Sequence, residues 1–389
     1  MQACYYFSVS GRVVKRAYKY RFYPTPEQAD LLNRTFGCVR YVYNRALAER
    51  SRAWTQEQKR VTFAGTCRML TEWKAEPETA WLYEVPNVAL QQSLQHLQGA
   101  YANFWGKRAK HPTFKSKRKS HASATFTTSG FRWRVGRIRL AKMTDALDIR
   151  WSRPLPEGAK PSSVTVSRDA AGRWHVSILV EAAVNTLAPL DSATGIDAGI
   201  TSLLTLSTGE KIANPRHERR DRRQLVKAQR AMARKVKGSA NQEKARRKTA
   251  RVYARIADRR ADFLHKLSTR IIRENQTVII EDLSVRNMVR NHSLARAISD
   301  ASWSEFRRML EYKADWYGRT VIAVDRFYPS SKTCSACGAV AAKLPLKVRQ
   351  WECGPCGAVH DRDVNAAINI RAAGLAVQAC GDGVRPSRA

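Results

Sequence analysis

Between Cys334 and Ile370 the chain carries two Cys-x-x-Cys pairs, Cys334-Ser-Ala-Cys337 and Cys353-Gly-Pro-Cys356, fifteen residues apart. Four thiols at this spacing can face one another on two tight turns and supply the tetrahedron that Zn²⁺ prefers. Gly338 and Gly357 follow the second cysteine of each pair, where such a turn needs a permissive backbone. Two disulfides would be the competing reading. The other cysteines, Cys4, Cys38, Cys67 and Cys380, are scattered, which suits reduced thiols and a cytoplasmic location instead. The stretch is therefore read as a zinc ribbon at about residues 330–360, with Cys334, Cys337, Cys353 and Cys356 as structural ligands. Two acids, Asp361 and Asp363, follow closely, so the ribbon could fix a carboxylate in space.

The balance of charge says what the chain meets. Lys+Arg number 69 against 33 Asp+Glu in 389 residues, a formal net charge of +36. So large an excess points to a polyanion, with nucleic acid the first candidate. A membrane partner is excluded at this level, because no apolar run approaches the ~18 residues of a spanning helix. The N-terminus lacks the layout of a signal peptide. Hydrophobic residues make up 43%, enough for folded cores, and the length suggests two or three domains.

Along the chain, residues 13–23 alternate aromatic and basic side chains at period two, the pattern of a strand with one face inward. Thr25, Pro26 and Gln28 then form a helix start with a capping box. Helical periodicity continues to about residue 108. A basic loop with an embedded aromatic, residues 107–119, leads into short strands at 124–128, 131–135, 138–140, 163–167 and 174–180. These could pair with the N-terminal strand, making the helical module an insertion into a β domain. From Thr194 two strands precede a basic stretch, residues 216–270, with twenty Lys/Arg against five Asp/Glu. Gly238-Ser-Ala-Asn241 breaks it into two helices, read as an antiparallel hairpin against a nucleic-acid backbone. A buried strand at 277–281, a helix near 304–317, a strand at 320–325, the ribbon and a helix at 364–373 complete the chain.

Three carboxylates stand out. Asp197 interrupts an apolar strand, Glu281 ends the apolar run Val278-Ile-Ile, and Asp363 opens a helix after the ribbon. A buried acid is costly unless it is paired or on a metal, and no basic residue flanks Asp197 or Glu281 in sequence. Three such groups could hold two Mg²⁺ about 4 Å apart, the arrangement used for phosphodiester cleavage. The order of elements suggests a ribonuclease-H-like nuclease core. Asp282 should face the other side of the sheet by strand alternation.

Gly195-Ile-Asp-Ala-Gly-Ile200, Ile280-Glu-Asp-Leu283, the paired knuckles and Asp361-Arg-Asp-Val-Asn-Ala-Ala-Ile-Asn-Ile370 together resemble the TnpB family. So do Tyr20-Arg-Phe-Tyr-Pro-Thr-Pro-Glu-Gln28 and Pro112-Thr-Phe-Lys-Ser-Lys117. These are transposon-encoded RNA-guided DNA endonucleases, relatives of type V CRISPR effectors, and the match spans nearly the whole chain. The resemblance implies an α+β multidomain fold. Residues 1–24 and 121–190 would form a β-barrel-like wedge domain, 25–120 an inserted helical recognition domain, and 191–389 a RuvC-like nuclease domain with the zinc-ribbon insert. It implies a guide RNA from the transposon end, cleavage of double-stranded DNA beside a transposon-adjacent motif, and Asp197, Glu281 and Asp363 as the Mg²⁺-binding catalytic set, with Asp361 the fallback for the third. Ala198 departs from the larger apolar residue frequent in the family.

Candidate nucleic-acid contacts are Arg16, Tyr18, Lys19, Tyr20 and Arg21 on the first strand, Lys115, Lys117, Arg118 and Lys119 in the basic loop, and Arg222, Arg223, Lys227, Arg230 and Arg234 in the basic hairpin. Two other functions compete: a non-cleaving DNA-binding transposition accessory or repressor, and a guide-free structure-selective nuclease. The first has no use for the three acids, and the second needs no RNA.

Overall fold

A computed structural model describes residues 12–118, 121–345 and 347–379. Cys4, Lys119 and Cys380 lie outside the described residues. The chain divides into two compact units, Val13–Ala183 and the residues from Val184 onward.

The first unit begins with strand β1 (Arg12–Tyr23). Helices α1 (Pro26–Glu57), α2 (Phe63–Ala75) and α3 (Asn87–Trp105) follow, with a 3₁₀ segment, Pro77–Glu84, between the last two. The start of α1 is fixed locally: Thr25 caps it, Gln28 reaches back to the Thr25 backbone, and Pro26 occupies the first turn. Strands β2 (Ala122–Thr127), β3 (Phe131–Arg134), β4 (Arg137–Leu140), β5 (Asp148–Arg150), β6 (Pro161–Arg168) and β7 (Trp174–Val184) complete the unit. The sheet order is β2-β6-β7-β1-β5, so the first strand lies inside a sheet whose other members arrive after the helices. The helices enter between β1 and β2, as the alternation predicts. They share one core with the sheet, in which Leu32, Val42, Leu90 and Leu97 join Tyr20, Phe22, Phe126 and Val176. Instead of a closed barrel, the described strands form an open sheet with edges β2 and β5, beside a separate β3–β4 hairpin. Closure needs an edge-to-edge ladder, which the three-residue β5 does not make with β2.

The second unit holds β8 (Ala193–Ala198), β9 (Ser202–Leu206), β10 (Lys211–Ala213), α4 (His217–Ala233), α5 (Ala240–Glu274), β11 (Thr277–Glu281), α6 (Val285–Met288), α7 (Ala295–Ala301), α8 (Trp303–Tyr317), β12 (Thr320–Val324), β13 (Gln350–Glu352), β14 (Val359–Asp361) and α9 (Arg362–Ala379). Its mixed sheet runs β10-β9-β8-β11-β12. β8, β11 and β12 are parallel, whereas β8, β9 and β10 form an antiparallel meander. Val278 and Ile280 face a core shared with α5 and α8. Gly195 and Ile279 face the other way, against α9. A Cβ on Gly195 would stand 2.1 Å from the Ala367 carbonyl oxygen, and one on Gly374 would stand 2.4 Å from the Ile279 side chain. Both contacts require glycine, and together they seat α9 directly on the sheet. The basic stretch folds as the two helices expected, α4 and α5, around Leu225, Val252 and Ile256.

Candidate metal and nucleic-acid site

The two knuckles are near copies. Cys334 N–H donates to the Ala339 carbonyl and Gly338 N–H to the Cys334 carbonyl, at 2.8 and 2.9 Å. Cys353, Ala358 and Gly357 repeat the pattern at 2.9 and 2.7 Å. Gly338 and Gly357 have φ of 77° and 68°, the left-handed conformation such a turn demands. None of the six described cysteines is in a disulfide. The Sγ atoms of Cys334, Cys337, Cys353 and Cys356 all lie within 4.8 Å of one another. Cys334 is 3.7 Å from Cys356 and Cys337 is 3.6 Å from Cys353. Zn–S bonds of about 2.3 Å put the thiols of a tetrahedron about 3.8 Å apart, so the donor set fits zinc.

The ribbon is bolted to α9 by two buried asparagines. Asn365 Nδ2 donates to the Thr333 carbonyl at 2.8 Å, and its Oδ1 accepts from Ser335 N–H at 2.9 Å. Asn369 Nδ2 donates to the Ser330 and Thr333 carbonyls at 2.8 and 2.6 Å. Arg362, also buried, donates to the Pro345 carbonyl at 2.8 Å. Both asparagines and Arg362 lie in the Asp361–Ile370 motif, which by itself assigns them no role. Two asparagines one helical turn apart among Ala366, Ala367 and Ile370 are the signal, because a polar pair on an apolar helix face must find partners.

Asp197 and Glu281 sit on adjacent parallel strands and project toward the α9 side, as Gly195 and Ile279 do. Burial pushes Asp197 up to about 7; the charges of Glu281 and Asp363 add to the shift, and Arg362 and Arg349 oppose it. Burial also raises Glu281, against a hydrogen bond from the Ser330 hydroxyl at 3.0 Å. Asp363, in the first turn of α9, takes a 3.3 Å ion pair from Arg349. Among the described residues, the four thiols are the metal-ligating cluster that the structure assembles. The charges of Glu281 and Asp363 both act on Asp197, a repulsion that a cation would relieve.

The neighbouring acids are committed elsewhere. Asp361 accepts from the N–H groups of Asp363 and Val364 at 3.1 and 3.0 Å, capping α9, and from Lys211 Nζ at 2.6 Å. Burial raises its acidity barrier, yet Lys211 and these amides hold it below the usual carboxylate range. Asp282 pairs with Arg307 at 2.5 Å and also with Arg326. The Arg307 bond holds it low against the cost of burial.

Among the expected nucleic-acid contacts, Arg223, Lys227, Arg230 and Arg234 are exposed at three- and four-residue spacing along α4, one continuous ridge. Arg222 turns to Glu218 at 3.4 Å. Lys19, Lys117 and Arg118 are exposed and Arg21 is half-buried. Tyr18 and Tyr20 require correction: they are 7% and 2% exposed within the core, so neither ring is open to a base. Arg16 lies over the Tyr18 ring at 5.6 Å. Lys115 also departs from expectation, its Nζ resting 3.8 Å above the Tyr43 ring with its amine lowered by burial. In both cases the loop or strand uses its apolar and basic side chains to close its own unit.

A zinc-ribbon-like knuckle pair locked to a carboxylate-bearing helix, in a strongly basic chain, defines a class of metal-dependent nucleic-acid protein. Residues 175–292 match the OrfB_IS605 family model, described as "Probable transposase". Residues 303–370 match the Cas12f1-like TNB domain, and residues 14–59 a helix-turn-helix domain; here the last stretch is one strand and a single 32-residue helix. A "Putative RNA-guided DNA endonuclease" of Streptomyces pristinaespiralis is 65% identical over 96% of this chain and 93% of its own length. The protein InsQ of Escherichia coli (strain K12), with the same description, is 36% identical over 96% of each chain. A chain from the cryo-EM structure of the Cas12f1–sgRNA–target DNA complex superposes with a TM-score of 0.58 at 13% identity, covering 92% of this chain and 99% of that one. The chain belongs to the TnpB family of transposon-encoded proteins. Among the described residues no helix is long and apolar enough to cross a membrane.

Proposed function

We propose that this chain is an RNA-guided DNA endonuclease of an insertion sequence, cutting double-stranded DNA beside a transposon-adjacent motif. In this reading hydrolysis takes place in one RNase H-like, RuvC-like centre, where Asp197, Glu281 and Asp363 would hold Mg²⁺. The observation that carries this reading is geometric: Asp197 and Glu281 stand on neighbouring parallel strands facing α9, whose first turn carries Asp363, and the charges of both other acids act on the half-buried Asp197 carboxyl. A cation between the three would relieve that repulsion, as would a proton on Asp197. The relatives described as RNA-guided DNA endonucleases support the guided activity.

Bound Mg²⁺ supplies neutralisation of the phosphodiester and activation of water. The chain's own residues do the positioning. Asp197 and Glu281 are carried by rigid neighbouring strands, and the Ser330 hydroxyl fixes one oxygen of Glu281. Asp363 enters from α9, whose register is set by the Asp361 cap and the asparagine clamp on the zinc ribbon. Arg349 pairs with Asp363 at 3.3 Å. One such centre must cut both strands in turn, and the sequence reading is delegated to guide pairing.

The test is to express the protein with its flanking DNA, sequence the RNA that co-purifies, and offer duplexes matching its 3′ segment with Mg²⁺. Cleavage by wild type, lost at least ~10³-fold in Asp197→Ala with RNA retained, is the expected result. Wild type that binds DNA but never cuts would establish the accessory-protein reading. Cutting of branched DNA without RNA would establish the guide-free nuclease.

A further inference from the structure

The β3–β4 hairpin separates its side chains by chemistry. Phe131, Ile138 and Leu140 are buried and Trp133 packs against the same core. The opposite face is arginine alone, with Arg132 across from Arg139 and Arg134 across from Arg137. Like charges directly opposite on paired strands destabilise a hairpin, and among the described residues no carboxylate pairs with any of the four. Among the described residues, their one side-chain hydrogen bond runs from Arg139 to the Thr144 carbonyl at 3.3 Å. The guanidiniums line a recess of about 490 Å³. At its tip Val135, with φ of 45° and 99% exposed, precedes Gly136 with φ of 72°. A left-handed β-branched residue is the costly choice for a two-residue turn that favours Asn-Gly.

We propose that this arginine face binds the phosphodiester backbone of the guide RNA. The inference rests on the RNA-guided reading and names a contact for it. Four uncompensated cations on one small face call for a resident polyanion, and a guide is carried continuously whereas target DNA is met only on encounter. The wide, shallow minor groove of an A-form helix accepts a flat two-stranded ribbon, and guanidinium forks match phosphate oxygens.

The experiment uses the full chain and the RNA that co-purifies with wild type, extracted and labelled, with its dissociation constant measured over a series of salt concentrations. Replacing all four by glutamine (Arg132→Gln, Arg134→Gln, Arg137→Gln, Arg139→Gln) is expected to flatten the log–log salt slope by about 3 and weaken binding at least ~10-fold at 0.15 M salt. The fourfold Arg→Lys variant should keep the slope. The pair Arg134→Gln with Arg137→Gln, beside the exposed tip, should flatten the slope by about half as much as the fourfold glutamine variant and keeps the test open should that variant fail to fold. An unchanged slope in a folded glutamine variant overturns the proposal. So does a variant with normal RNA affinity whose RNA-loaded form loses only duplex DNA, since the face then belongs to the target. Wild type purified free of RNA overturns the functional reading itself, and this assignment with it.

Discussion

Asp197 sets up the sharpest behaviour available to a single residue here. With its folded value at about 7 and an ordinary unfolded value near 3.9, the native state keeps a proton that the unfolded chain has released. The metal-free protein should therefore lose stability as pH rises from about 4 to 7, by about 2–4 kcal/mol. Asp197→Asn should remove that loss and melt higher than wild type at pH 8 while being inactive. Thermal melts at several pH values in chelator check it; a wild-type curve as flat as the variant's counts against the buried-acid assignment. Asp197, Glu281 and the four cysteines were legible as residues because an acid in an apolar strand and a thiol pair at fixed spacing are local anomalies. Ser330 and Arg349 were not, since a serine or arginine in a loop is ordinary until the fold brings it to a carboxylate. Tyr18 and Tyr20 misled for the opposite reason: alternation identified the strand but could not say which layer would cover it.

At the scale of elements, α9 is the junction between ribbon and carboxylates. Cys353→Ser should release zinc and, through the Ser330–Thr333 loop held by Asn365 and Asn369, displace Asp363. Zinc content and cleavage should fall together; full zinc occupancy in the variant would contradict the ligand assignment. Asn369→Ala removes the shorter of the two side-chain bonds to each of the Ser330 and Thr333 carbonyls, which Asn365 still reaches, and should cost about 0.5–1.5 kcal/mol, with cleavage lost faster than zinc as temperature rises. Gly195→Ala tests the other side of the same helix. The added methyl meets the Ala367 carbonyl, so α9 must lift from β8, and cleavage should drop more than RNA binding does. Element boundaries were readable wherever chemistry is local: the capping box of α1 and the Gly238 break both lie where the sequence puts them. β5, α6 and α7 escaped because segments of three to seven residues carry too little periodicity to register.

For the whole molecule, the net charge of +36 predicts nucleic-acid affinity that falls steeply with salt. Neutralising Arg223, Lys227, Arg230 and Arg234 to glutamine should reduce the salt slope by up to about 3–4 without altering cleavage at the cut site once the complex is loaded. An unaltered slope would remove the α4 ridge from the interface. The insertion of helices into a sheet was also legible, because the N-terminal strand pattern had no neighbour of its own nearby. Its consequence is temporal. β1 pairs with β5 and stands beside β7, and the ribosome makes β7 only after the whole helical segment. At about 5–20 residues per second, the nascent chain must carry a finished strand without a strand partner for roughly 6–25 s before β5 emerges, and longer before β7. During that interval translation speed and chaperone access, more than final stability, decide the yield of folded protein.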